Sequence, residues 1–248
     1  MKKEFWGVLG ALVLTAGVSS PALATTASSF SSFEGEEEPT DRVYSSGSVT
    51  KGDTYDNMTS PASGTFKFYL RFSSSVWDGD RDTSSTDRQR AEVKGLGSRQ
   101  GTSDTFDYDH TWKTSRGGSG SFWHVFQLKG VDGDNGSPLV VNSILSSSSA
   151  ALRYCSNGQS GFTVARSYSF TVGSFMRSTI RIKPSTGTGG IVQLGINGGS
   201  LSGKSGIALY RSGSTQYRPK WGSYRGVSSS SPYGNDTVEQ KGVMATKR

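Results

Sequence analysis

The strongest constraint on this chain is the period of two in Thr65-Phe66-Lys67-Phe68-Tyr69-Leu70-Arg71-Phe72. Alternate side chains of an extended strand point to opposite faces, so Phe66, Phe68, Leu70 and Phe72 fall on one side and Lys67, Tyr69 and Arg71 on the other. Similar short runs recur: Arg88 to Gly95, Thr105 to Lys113, Ser121 to Lys129, Pro138 to Leu145, Gly161 to Phe170, Arg177 to Lys183, Ile191 to Ile196, Gly206 to Tyr210, Arg218 to Arg225 and Thr237 to Thr246. Turn signals separate them at Asp132 to Gly136, Ser156-Asn157-Gly158, Thr186 to Gly190 and Asn197-Gly198-Gly199. Ser146 to Ser149 is low-complexity and reads as a loop. No long stretch carries a helical period. Many antiparallel strands in one domain of this size predict an all-β fold, a two-sheet β-sandwich of jelly-roll type.

The first residues read as an export signal. Lys2 and Lys3 start it, Trp6 to Val18 form a short apolar stretch, and Ala22-Leu23-Ala24 offers a small-x-small cleavage site. The apolar stretch is short for a membrane span. Cleavage is expected after Ala24, leaving a secreted or periplasmic protein with no membrane attachment. Residues 25–40 are Ser/Thr-rich and then acidic (Glu34, Glu36, Glu37, Glu38), and read as a flexible leader. Residues 41–248 then form one domain, long enough to bury a core without disulfides. Its single Cys155 is expected to be a buried small residue.

The formal net charge is +7; Lys2, Lys3 and Glu4 account for +1 of it, so the mature chain keeps +6. Excess positive charge on an exported protein favours an anionic partner. No nucleic-acid motif is present and the basic residues are scattered among the strands, which argues against DNA or RNA. With two His and one Cys, zinc-ligand spacing is absent. Asp78-Gly79-Asp80-Arg81-Asp82 resembles a calcium loop, but Thr83 and Gln89 stand where an EF-hand needs Gly and Glu. No metal or other cofactor is expected, and the protein is expected to act as a monomer.

Three strings place polar groups on common strand faces: Arg90-Ala91-Glu92-Val93-Lys94, Gln127-Leu128-Lys129 and Pro219-Lys220-Trp221-Gly222-Ser223-Tyr224-Arg225. Parity puts Arg90, Glu92 and Lys94 together, Gln127 with Lys129, and Lys220 with Tyr224. Several cations, an amide and a phenol suit an anionic polymer and chemistry beside a carboxylate. These strings resemble the signatures of concanavalin-like jelly-roll polysaccharide lyases. Alginate lyases of that architecture carry Arg-x-Glu-Leu-Arg, Gln-Ile-His and Lys-Ala-Gly-x-Tyr in the same order. The variants here, with Phe122 to Gln127 and Arg218 to Gly222, look closer to the glucuronan lyase branch. The resemblance spans roughly residues 40 to 247, and Lys129 stands at the alginate lyase His.

The resemblance implies β-elimination from a polyuronate. The proton beside the carboxylate is weakly acidic while that carboxylate is charged, so donors aimed at it are required. Arg90, Gln127 and Lys129 fit that role. Glu92 reads as an orienting partner, and Arg88, Lys94, Lys220 and Arg225 as further substrate contacts. Tyr224 is the leading base, in a field of neighbouring cations that favours a phenolate. On C4-linked glucuronate and mannuronate the C5 proton and the C4 oxygen share one ring face, so one residue can serve both.

Of the two histidines, His124 reads by parity as a core residue facing with Phe126 and Leu128. His110 is the second-choice base, with a packed strand histidine equally open. Trp77, Trp112, Trp123 and Trp221 are candidate sugar platforms, none assigned. The expected function is therefore a secreted, endo-acting polysaccharide lyase on an acidic polysaccharide, most simply β-1,4-glucuronan. Polymannuronate is the alternative substrate, and a non-catalytic lectin-like sandwich is the rival function. A glycoside hydrolase is disfavoured because Glu92 is the one acid within the three strings.

Overall fold

The computed structural model describes residues 65–70, 88–95, 99–118, 121–226 and 234–248, together with the backbone of short strands at 24–26, 33–36, 41–45, 48–49 and 58–59. The export signal before Ala24, the Asp78 to Asp82 loop, Arg71, Phe72 and Trp77 lie outside the described residues. In chain order the described strands are β1 (Ala24–Thr26), β2 (Phe33–Glu36), β3 (Asp41–Ser45), β4 (Ser48–Val49), β5 (Met58–Thr59), β6 (Thr65–Leu70), β7 (Arg88–Gly95), β8 (Gln100–Gly101) and β9 (Phe106–Thr114). There follow β10 (Trp123–Gly130), β11 (Val140–Ile144), β12 (Ser149–Tyr154), β13 (Thr163–Ser169), β14 (Met176–Lys183), β15 (Ser185–Ile196), β16 (Ser202–Leu209), β17 (Gln216–Gly226) and β18 (Asp236–Lys247).

They form two antiparallel sheets, the sandwich expected from the alternating runs. The front sheet runs β13-β12-β11-β10-β17-β7-β2-β3-β4, with β8 also on β17. The back sheet runs β16-β15-β14-β9-β18-β6-β5, with β1 on β18. Two short strands, β1 and β2, fall at least partly within the stretch read as leader. β2 pairs directly with β7.

The core lies between the sheets. In β6 the alternation is realised as written: Phe66, Phe68 and Leu70 are buried, while Thr65, Lys67 and Tyr69 are partly exposed. At the centre Tyr108 of the back sheet meets Phe126 and Trp221 of the front sheet, at ring-centroid distances of 5.4 and 6.2 Å. Trp112 and Trp123 are buried as well, and their indole N–H groups donate to Ser178 and Ser223. The three described tryptophans of the sugar-platform set are therefore core residues. Cys155 is buried and free.

Among the longer strands, two differ from expectation. β12 was not predicted, because Ser-Ala-Ala-Leu-Arg-Tyr carries a weak apolar signal; its Ala150 and Leu152 nevertheless enter the core. Thr186 to Gly190, read as a turn, continues β15 and is accommodated by register irregularities against β16 at Ser185/Gly190 and Gly190/Ile191.

A third irregularity matters most. Along β10 the register against β17 runs His124↔Tyr224 and then Phe126↔Trp221, so Gly222 and Ser223 together face Val125. Such a bulge interrupts the ladder and leaves carbonyls without strand partners. Gln240, reaching from β18 across the sandwich, donates its amide to Val125 O at 2.7 Å and to Gly222 O at 3.0 Å. With both hydrogens used there, its Oε1 accepts from His110 Nδ1 at 3.0 Å. His110 is 1% exposed, faces the interior against Phe126, and lies beneath the front sheet. That placement removes His110 from the candidate bases.

Burial holds His110 down at about 4 and His124 at about 3. Their unfolded counterparts titrate near about 6.5. Between those values the unfolded chain binds more protons, so the stabilising contribution is full above about pH 6.5 and is lost as pH falls. The expected outcome is a melting temperature that declines steadily from pH 7 to pH 4. His110→Gln should flatten part of that slope, and an unchanged slope would refute the assignment. Gln240→Leu strands two buried carbonyls and a histidine N–H, so it should cost roughly 3 kcal/mol or more in urea unfolding. A near-neutral result would show that the bulge does not need the amide.

Candidate functional site

The outer face of the front sheet is built from rows of registered residues. One row runs Arg90, Tyr224, His124 and Ser143 across β7, β17, β10 and β11. Another runs Lys94, Lys220, Gln127 and Val141. Between them Glu92 stands opposite Gly222, and beyond them Lys129 stands opposite Arg218. Opposed residues in an antiparallel pair point to the same face. The structure thus brings together Arg88, Arg90, Glu92, Lys94, Gln127, Lys129, Lys220 and Tyr224.

His124 joins this face because of the bulge. In an unbroken strand, residues three apart oppose each other. Here Val125 and Phe126 are both fully buried, and His124 and Gln127 both register with outward residues of β17. The parity argument that placed His124 in the core fails at that point. Its Nδ1 is 2.9 Å from Ser143 Oγ, and its ring centroid lies 6.0 Å from that of Tyr224. Phe122 packs on both rings at 5.0 Å.

Arg225 is on the other face. It is 3% exposed, gives two hydrogen bonds to Gln89 Oε1, and lies over Trp123. It follows Tyr224 directly, so a regular strand must turn it inward. The expected substrate contact from Arg225 is therefore replaced by a structural one.

Glu92 organises the centre. Its side chain is fully buried, with Gln127 Nε2 at 2.6 and 2.7 Å from its two oxygens. Arg90 Nε lies 3.7 Å away and Lys220 Nζ 4.0 Å away. A buried cation such as Lys220, 1% exposed, requires a nearby anion, and Glu92 supplies it. Glu92 and Gln127 belong to strands on either side of β17 and meet above Gly222. A side chain there would stand in their way. It would also collide with the neighbouring strand, since an added Cβ would lie 2.2 Å from Ala91 O, at φ +154. Only one hydrogen of the Gln127 amide can point between two carboxylate oxygens so close together, and the other is left to donate elsewhere.

Tyr224 is held from two sides. Arg88 Nη1 donates to its hydroxyl oxygen at 3.2 Å, and the Arg90 guanidinium sits 4.3 Å from its ring centroid. Burial, with the charge of Arg153 adding to it, keeps His124 neutral. The face as a whole carries Arg88, Arg90, Lys94, Lys129, Arg218 and Lys220 against Glu92 alone among the described residues of these strands. It is suited to an anionic ligand and presents a phenol and a neutral imidazole to it. Among the described residues no three His, Cys, Asp or Glu side chains gather as a metal site.

No protein-family model matches the chain, and comparison with curated proteins finds no match. Solved structures do resemble it. An endo-β-1,4-glucuronan lyase from the fungus Trichoderma reesei superposes with a TM-score of 0.58 at 14% identity, covering 74% of this chain and 81% of that one. Alginate lyase A1-II', of polysaccharide lyase family 7, gives 0.60 at 13% identity over 90% and 99%. The alginate lyase from Corynebacterium sp. gives 0.56 at 14% over 88% and 95%. The chain therefore shares the jelly-roll fold of these polysaccharide lyases over most of its length.

Proposed function

We propose that this protein is a secreted polysaccharide lyase that cleaves a polyuronate by β-elimination, with β-1,4-glucuronan the first choice of substrate and polymannuronate the second. The observation that carries the reading is Tyr224, whose oxygen accepts from Arg88 and whose ring lies under Arg90, on a cationic face floored by the Glu92–Gln127 pair. The three strings and the fold shared with a glucuronan lyase and alginate lyases support it. A purely binding surface needs cations and aromatic platforms but no phenol fixed in this way.

In the proposed reaction the substrate carboxylate lies against Arg90, the free amide hydrogen of Gln127, and the ammonium groups of Lys220 and Lys129. Their charge and hydrogen bonds stabilise the enolate-like species that forms when the C5 proton leaves. Tyr224, as phenolate, takes that proton. The electron pair becomes the C4–C5 double bond while the C4–oxygen bond breaks, and the phenol returns the proton to the departing oxygen. No water is consumed. Arg88 and Arg90 stabilise the negative charge that the Tyr224 oxygen carries before it takes the C5 proton and regains once the leaving oxygen has received it. His124, held at about 3, is a feeble base at neutral pH and serves as an uncharged hydrogen-bonding neighbour.

Two outcomes test this reading. Tyr224→Phe keeps the ring packing and removes the hydroxyl, so turnover should fall by roughly 10²–10⁴ while polymer affinity and stability hold. Turnover is read as ultraviolet absorbance of the unsaturated uronate released from glucuronan. An active Tyr224→Phe enzyme, or reducing ends without that absorbance, contradicts the mechanism. Lys129 is assigned charge and not proton transfer, so Lys129→Arg should retain most activity and Lys129→Ala lose most of it. Equal inactivity of the two, with a titration missing from the pH profile, would reassign Lys129 as a proton carrier.

A further inference from the structure

The outer face of the front sheet continues two strands beyond His124 and Gln127, to a cation that the three strings do not include. Arg153, on β12, registers with Val141, and Val141 with Gln127, so Arg153 points to the same side as the catalytic cluster. Val141 and its neighbour on this face, Ala151, are buried yet belong to no part of the core between the sheets. They floor a path from Gln127 and His124 to Arg153. Two strand spacings make that path about 10 Å long, close to the reach of a disaccharide.

At the end of the path the guanidinium of Arg153 lies 5.3 Å from the ring centroid of Phe162, which is itself 5.9 Å from His124. Val164, opposite Arg153 on β13, is 44% exposed. Arg153 forms no ion pair with a described carboxylate, and its Nε is buried with no hydrogen-bond partner. A buried donor left unpaired is costly, and that cost is relieved when a ligand supplies the acceptor. Stacking on an aromatic ring fixes the guanidinium plane and leaves its edge for a carboxylate, which it grips with two parallel hydrogen bonds.

We propose that Arg153 and Phe162 form a distal subsite that binds the carboxylate and ring of a second uronate residue, in the same polymer chain as the residue being cleaved. This rests on the reading of the substrate as a polyuronate. The occupant follows from charge and continuity: an unpaired cation beside an apolar surface, on one face with the cationic cluster, fits a sugar that repeats its carboxylate along the chain.

The test is calorimetric binding of defined β-1,4-glucuronate oligomers, from disaccharide to hexasaccharide, to the full-length Tyr224→Phe protein with and without Arg153→Ala. Affinity for the longer oligomers should fall about tenfold or more, the scale of a charged hydrogen bond lost. The shortest oligomers, seated at the catalytic cluster, should bind equally to both. Arg153→Lys should recover part of the loss, because it restores charge without the two-pronged geometry. An equal loss at every length would mean that Arg153 acts through His124 or the fold, and would overturn the subsite. No loss at any length, or no binding of any oligomer to the parent protein, would overturn it too. Failure of the lyase reading is a separate result: wild-type protein would then release no unsaturated product, while the length dependence of binding still decides the subsite.

Discussion

The amide of Gln240 is the contact on which the arrangement of this protein turns. It crosses the interior from the back sheet and caps the two carbonyls freed where β10 and β17 fall out of step. Without those partners the bulge would bury two unsatisfied acceptors in a core of Phe126, Trp221 and Tyr108. A regular ladder would then be favoured. Regular pairing would carry His124 away from Tyr224, because one residue of slip reverses every side chain beyond it. The polar chain His110–Gln240–carbonyl is thus an interior device whose consequence is felt on the outer face.

A second constraint is the balance of charge around Glu92. Lys220 and Glu92 are both buried, and Arg90 and Gln127 close on the same carboxylate. The like charges of Arg90, Lys94 and Lys220 would repel one another on bare neighbouring strands. The Glu92 carboxylate draws Arg90 and Lys220 towards one point. Gly222 makes that possible by removing the side chain between Glu92 and Gln127, which explains why a glycine sits between Lys220 and Tyr224 where β-propensity alone would disfavour it.

Much of this was legible in the sequence where strands are regular. β7 and the outer half of β17 have strict alternation, so the grouping of Arg90, Glu92 and Lys94, and of Lys220 and Tyr224, followed from parity. What parity could not supply was the place where it breaks. Phe122, His124, Phe126 and Leu128 alternate perfectly on paper, and nothing in those letters marks Val125 and Phe126 as both inward. The signal lay elsewhere in the chain, in Gly222 and in a glutamine of β18 more than a hundred residues from Val125. Arg225 has a simpler explanation: it adjoins the motif, but its place next to Tyr224 turns it to the inner face. Arg153 was missed because its strand is announced only by Ala150, Leu152 and Tyr154.

The same reasoning bears on Lys129, which stands where the alginate lyase signature has histidine. The imidazole of this face is His124, separated from Lys129 by three registered pairs and set beside Tyr224 by the bulge. Burial and the nearby Arg153 keep that imidazole uncharged, while Lys129 places an amine at the Arg218 end of the face. The chain therefore divides between two positions what a single histidine could combine, a titratable ring and a positive charge. In the proposed elimination, with the ring neutral and the charge placed apart from it, Tyr224 carries the proton, so one hydroxyl can serve the acid and base steps on one sugar face.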